Sequence, residues 1–120
     1  MPKLLRSSET KGATIELDSG EAVHVSIAQK GVLVRFWSGG FFKTLMSDLF
    51  GRNLYSETSP DKNAQTAQTL SAMFPDQAAE LQFKNPVLAA FANAIWHCGS
   101  VVKVRGILND AAAGRADSDE

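Results

Sequence analysis

The sequence predicts an α+β protein in which an N-terminal antiparallel three-stranded meander packs against three to four helices. Three observations predict it. Residues 13–37 alternate apolar and polar positions in short runs separated by turn residues. The remainder places apolar residues at helical spacing, twice behind a Ser-Pro or Asn-Pro pair. The chain has 120 residues, room for one core that needs no disulfide or metal staple.

Taken in order, residues 1–12 are polar around Leu4 and Leu5 and read as a flexible N-terminal arm, with the domain proper at 13–108. In the first strand, 13–17, Ala13, Ile15 and Leu17 share a face opposite Thr14 and Glu16. Asp18-Ser19-Gly20-Glu21 supplies turn chemistry. The second strand, 22–28, sets Val23, Val25 and Ile27 against His24 and Ser26. Gln29-Lys30-Gly31 leads to a third strand at 32–37 that is apolar throughout except at Arg35, the pattern of a strand covered on both faces for part of its length.

Beyond Gly39-Gly40, residues Phe42, Leu45, Met46, Leu49 and Phe50 recur at helical spacing before Gly51, so 41–50 reads as a helix. The rival reading is a fourth strand at 41–46. A short extended piece is expected at 53–56. Ser59-Pro60 opens the next helix, whose stripe is Ala64, Ala67, Leu70, Ala72, Met73 and Phe74 and which ends at Pro75. Residues 76–83 read as a further short helix. Asn85-Pro86 then opens a helix apolar nearly all round (Val87, Leu88, Phe91, Ala92, Ile95, Cys98), the buried one, with Gly99 as its cap. The β-branched run at 101–108 reads as a strand closing the sheet, with continuation of the preceding helix as the rival. Residues 109–120 are small, polar and acidic and read as a disordered tail.

A net charge of −1, spread evenly along the chain, disfavours long-range attraction to nucleic acid or an anionic membrane. No apolar run approaches a membrane span. The lone Cys98 excludes an internal disulfide, which fits a reducing, cytoplasmic setting.

No motif for metal, nucleotide or cofactor stands out, and none is expected to be bound. Cys98 beside His97 suggests a thiolate couple, but neighbours on a helix point about 100° apart, so Cys98 reads as core and His97 as a helix-end residue. His24 with the scattered carboxylates forms no ligand spacing. Asp18 and Glu21 read as solvated turn residues. Two constellations remain. Arg35, Trp37, Lys103 and Arg105 would form a basic, aromatic sheet face if 101–108 were a strand, a surface suited to single-stranded nucleic acid. Trp37, Phe41 and Phe42, with Phe36, Phe50 and Tyr55, would form an interaction patch if exposed. The sequence-level expectation is a non-enzymatic protein-interaction or regulatory module, homodimeric in its simplest form, with single-stranded nucleic-acid binding as the alternative.

Overall fold

The computed structural model describes residues 1–8, 12–28, 31–38, 41–44, 60–75 and 78–114. Among the described residues, one antiparallel sheet of five strands is layered against three helices, so the α+β class holds. The strands are β1 (Lys3–Ser8), β2 (Gly12–Glu16), β3 (Ala22–Ala28), β4 (Gly31–Ser38) and β5 (Phe41–Thr44), in that spatial order. The helices are α1 (Pro60–Met73), α2 (Pro86–Trp96) and α3 (Val101–Ala112), with a 3-10 turn at Ala79–Leu81. No described helix is long and apolar enough to cross a membrane.

The expected meander is present as β2, β3 and β4, and it is extended on both sides. Lys3–Ser8, read from the sequence as an arm, is an edge strand paired with β2. Its short polar composition hides a strand whose partner supplies the pairing. Phe41–Thr44, read as the start of a helix, is β5, with Ser38 opposite Phe41 and Trp37 opposite Phe42. Only two residues, Gly39-Gly40, separate the paired positions, and such a diglycine is the spacing a tight hairpin takes. That local signal outweighs the 3.6-residue spacing of the apolar residues. Residues 45–50, and the extended piece expected at 53–56, lie outside the described residues.

The register fixes the faces. Ala13, Val25 and Val34 stand in one cross-strand row, and Leu4, Ile15, Val23 and Phe36 in another. Ala13, Ile15, Val23, Val25, Val32 and Val34 are fully buried beneath the helices. One glycine is needed for this pairing: Gly12 has φ +109°, and a Cβ there would stand 2.1 Å from the Val25 carbonyl oxygen.

Above the covered face, α2 packs on β2 and β3, and α1 packs on β4, α2 and α3. Leu88 to Ile95 of α2 are all buried, as the sequence indicates. Asn85 Oδ1 accepts from the Val87 and Leu88 amides at 2.9 and 3.1 Å, the cap expected of Asn-Pro. Gly99 is not the cap: α2 ends at Trp96, with His97 in the C-cap position. In α1 the inner stripe is Asn63, Thr66, Ala67 and Leu70, while Ala64 and Ala72 face solvent. Of the helix expected over 76–83 only the 3-10 turn is described.

The run 101–108 is neither a strand nor a continuation of α2, but a separate helix. Ser100 Oγ accepts from the Lys103 amide at 3.3 Å, and Val101, Val104, Leu108 and Ala111 face the core at helical spacing. The cap and this stripe override the strand preference of the valines. Glu21, from the β2–β3 turn, adds a second cap: its Oε1 accepts from the Val101 amide at 3.0 Å. Next to it, the Ser19 amide donates to the Gly99 carbonyl at 2.9 Å. The helix also carries 109–112, which the sequence assigns to a tail. Residues 115–120 lie outside the described residues.

Candidate functional site

The other face of the sheet carries no described helix. Along it runs a single cross-strand row: Arg6 of β1 pairs with Thr14 of β2, Thr14 with His24 of β3, His24 with Arg35 of β4, and Arg35 with Thr44 of β5. Strands lie about 4.8 Å apart, so three intervals separate the Arg6 and Arg35 backbones by about 14 Å.

Arg6 reaches this row because of a β-bulge. Leu4 stands opposite Ile15 and Arg6 opposite Thr14, so the register shifts between them and Leu5 is an extra residue in β1. Without the bulge, strict alternation would turn Leu4 and Arg6 to one face. With it, Leu4 packs against the core, and Leu5 and Arg6 line the open side.

The row floors a concavity of about 680 Å³, lined by Leu5, Arg6, Thr14, Ala22, His24, Arg35 and Trp37. The central strands β2 and β3 supply Thr14, Ala22 and His24, the floor; the flanking strands β1 and β4 supply Leu5, Arg6, Arg35 and Trp37, the walls. Trp37 and Leu5 are each 48% exposed, the only large described hydrophobics besides Met1 and Val102 that face solvent. The volume lies within the range of small-molecule sites, roughly 300–1,000 Å³.

Among the described lining residues the formal charges are both positive, at Arg6 and Arg35. Burial, followed by the charges of Arg35 and Arg6, holds the His24 imidazolium form down, so its pKa lies below the ordinary 6.5 and the ring is neutral at pH 7. Thr14 Oγ1 and His24 Nδ1 share a hydrogen bond of 2.7 Å. The site thus offers two cations, one neutral imidazole–hydroxyl pair and a half-exposed indole. No carboxylate stands among its described lining residues. In the neighbouring row, Lys3 and Glu16 stand opposite each other outside the concavity.

The residues singled out from sequence divide. Arg35 and Trp37 meet in the concavity. The Phe41 and Phe42 backbones belong to β5, while their side chains lie outside the described residues. Lys103 and Arg105 sit on α3, in the helical layer, because the strand that would have carried them is a helix. Lys103 faces solvent, and the Arg105 guanidinium lies 5.7 Å from the centre of the Phe36 ring, a cation–π contact on the core side. Cys98 and His97 form no couple. The Cys98 thiol donates to the Ala94 carbonyl at 3.2 Å, and burial pushes its pKa up to about 11. The His97 ring stacks on Phe74, 5.5 Å between centres.

Sequence reasoning missed Arg6, Thr14 and His24 as site residues. For Thr14 and His24 a signal existed, since both lie on the polar side of alternating strands in line with Arg35. Arg6 left no signal, because a bulge is not written in residue type. Comparison with family models, with curated proteins and with solved structures gave no match.

Proposed function

We propose that the protein is a non-enzymatic binding module that takes an anionic partner on the open face of its sheet, in a regulatory rather than catalytic role. One observation carries the reading: Arg6, His24, Arg35 and Trp37, from three strands, line a single concavity on the face that no described helix covers. The Thr14–His24 hydrogen bond resembles a nucleophile–base pair. Thr14 itself is only 8% exposed, which leaves its hydroxyl little access to a reacting atom.

The chemistry of the face narrows the partner. A second copy seated face to face by a two-fold axis would set Arg6 and Arg35 against the same arginines, so self-association at this surface is disfavoured. Edge pairing through β1 is also poorly served, since the strand carries a bulge and two cations. The nucleic-acid alternative keeps Arg35 and Trp37 but loses Lys103 and Arg105 to the helical layer. A single buried thiol suits work in a reducing compartment.

The test follows ¹⁵N-labelled protein while adding, in turn, an acidic peptide, a short single-stranded oligonucleotide and small anions. Saturable shifts confined to β1–β4 residues of the open face, abolished in an Arg6→Gln/Arg35→Gln variant, are expected from at least one probe. Shifts centred on α3, or none at millimolar concentrations, would overturn the reading.

A further inference from the structure

We infer that binding on the open face is coupled to a proton: the face takes its anionic partner more tightly when the His24 ring is charged. This coupling rests on the open-face reading above and gives that same site a regulation.

His24 holds the central place in the row. On β3 it stands opposite Thr14 of β2 and Arg35 of β4, and all three line the concavity with Arg6. Neighbouring strands lie about 4.8 Å apart, so a ligand that spans the row from Arg6 to Arg35 crosses the imidazole. The ring is half-buried, so a charge gained there acts on that ligand through little intervening water.

Thr14 lets the ring change charge without moving. Its Oγ1 lies 2.7 Å from His24 Nδ1. A hydroxyl that donates to a bare Nδ1 can rotate to accept from Nδ1–H. An Nδ1–H that already donates is kept when the second ring nitrogen takes the proton. From either tautomer the hydrogen bond survives protonation, and the new charge appears at a fixed point of the floor.

Among the described residues, the charged groups on this side of the sheet come from the strands around the ring. β4 gives Arg35, directly opposite; β1 gives Arg6 in the same row and Lys3 in the next; β2 gives Glu16, opposite Lys3 and outside the concavity. Burial first, then Arg35 and then Arg6, disfavours the charged ring. A seated anion opposes the two repulsions, since an opposite charge within about 4–6 Å moves a titration midpoint by about 1–3 pH units. Ligand and proton therefore favour each other, and linkage makes the two gains equal. Affinity should rise as the pH falls through the titration of the ring.

The experiment is calorimetric titration of the full chain with sodium sulfate and with an octathymidylate strand. Both keep their charge between about pH 5 and pH 8, the range in which histidine changes its own. A probe that binds is expected to bind about tenfold tighter at the lower pH. It should also take up a proton, seen as heats that differ between two buffers of unlike ionisation enthalpy. That comparison uses the unaltered protein, so it decides the matter even if a variant fails to fold. His24→Gln should flatten the pH dependence to less than twofold. His97→Gln, which replaces the chain's other histidine in the helical layer, should leave it intact. Equal affinity at both pH values, or a dependence that survives His24→Gln or is lost in His97→Gln, overturns the coupling and leaves the open-face reading standing. If neither probe binds at either pH the coupling falls, and if the peptide titration is also silent the open-face reading falls with it.

Discussion

The two faces of this sheet are made from the same strands, often from adjacent residues, yet they do different things. Ile15 is fully buried against the helices, and Thr14, its neighbour, stands on the other side in hydrogen bond with His24. Val34 is core, and Arg35, one residue on, walls the concavity. The covered face is aliphatic, because the only interactions it needs are packing and exclusion of water. The open face mixes charge, hydroxyl, imidazole and indole, which a sheet does not need for stability. A pleat separates stability from recognition with a period of two, so neighbouring substitutions should have unlike consequences.

The largest difference is expected between Ile15→Ala and Trp37→Ala. Ile15 has no exposed surface, so its truncation leaves a cavity and should cost about 2–5 kcal/mol in denaturant unfolding. Trp37 keeps nearly half its surface in water, so Trp37→Ala should cost only about 1 kcal/mol while removing the wall of the concavity. Equal costs would mean that the indole is structural, and the division between the faces would be lost.

Next in size is the layer that makes one face covered. Asn93 is the polar residue in the apolar run of α2 and is 1% exposed. Its Nδ2 donates to the Phe74 carbonyl at 3.0 Å, and its Oδ1 accepts from the Ala78 amide at 3.1 Å. One side chain thereby ties the chain on both sides of Pro75 to the central helix. Asn93→Ala strands two backbone groups, each worth about 1–3 kcal/mol if left unsatisfied. The expected result is a loss of about 2–4 kcal/mol with fastest hydrogen exchange around residues 74–81. Loss spread evenly over the chain would refute the tether.

A smaller effect is expected at Glu21, which joins sheet to helix. The Val101 amide first, and the Ser19 hydroxyl second, hold its carboxylate below the ordinary 4.5. The charged form is the one the fold favours, so this contribution is present above about pH 4.5 and is lost as pH falls through the lowered folded value. Glu21→Ala should cost about 0.5–2 kcal/mol at neutral pH, the usual range for a helix cap. The variant and the parent should converge in stability at low pH; a constant gap would show that the charge is not what caps α3.

These residues also show what could be read from the sequence. The alternation of 22–28 and the Asn85-Pro86 cap encode their elements locally, and both were legible. The valines of 101–108 misled because strand preference is a weak bias. It lost to Ser100, to the Glu21 carboxylate arriving from 80 residues away, and to a stripe at 101, 104, 108 and 111. At Phe41–Thr44 the helical spacing misled because apolar residues so spaced can also begin in a strand. Half of the candidate site, Arg35 and Trp37, was visible as an odd pair in an apolar strand. The other half depended on register, and Arg6 on a bulge that only the paired partner reveals.

The finest distinction between the faces is a titration. Burial raises the cost of charging His24, and Arg35 and then Arg6 add repulsion, so the folded pKa lies below 6.5 while the unfolded chain titrates near it. Below that value the unfolded state binds the proton more readily. Stability should therefore fall as pH drops from about 6.5 through the folded pKa, and level off beneath it. Arg35→Gln removes the larger of the two repulsions, so the His24 ring, followed by NMR, should titrate at higher pH and the slope of stability below pH 6.5 should shrink. An anion held between the arginines acts in the same direction, because it neutralises both charges beside the ring. A phosphate-bearing ligand should thus raise the His24 midpoint in the parent protein and raise it less in Arg35→Gln. If the midpoint moves with the substitution but not with the ligand, the row from Arg6 to Arg35 is a device of the sheet's own electrostatics, and the anion binds elsewhere.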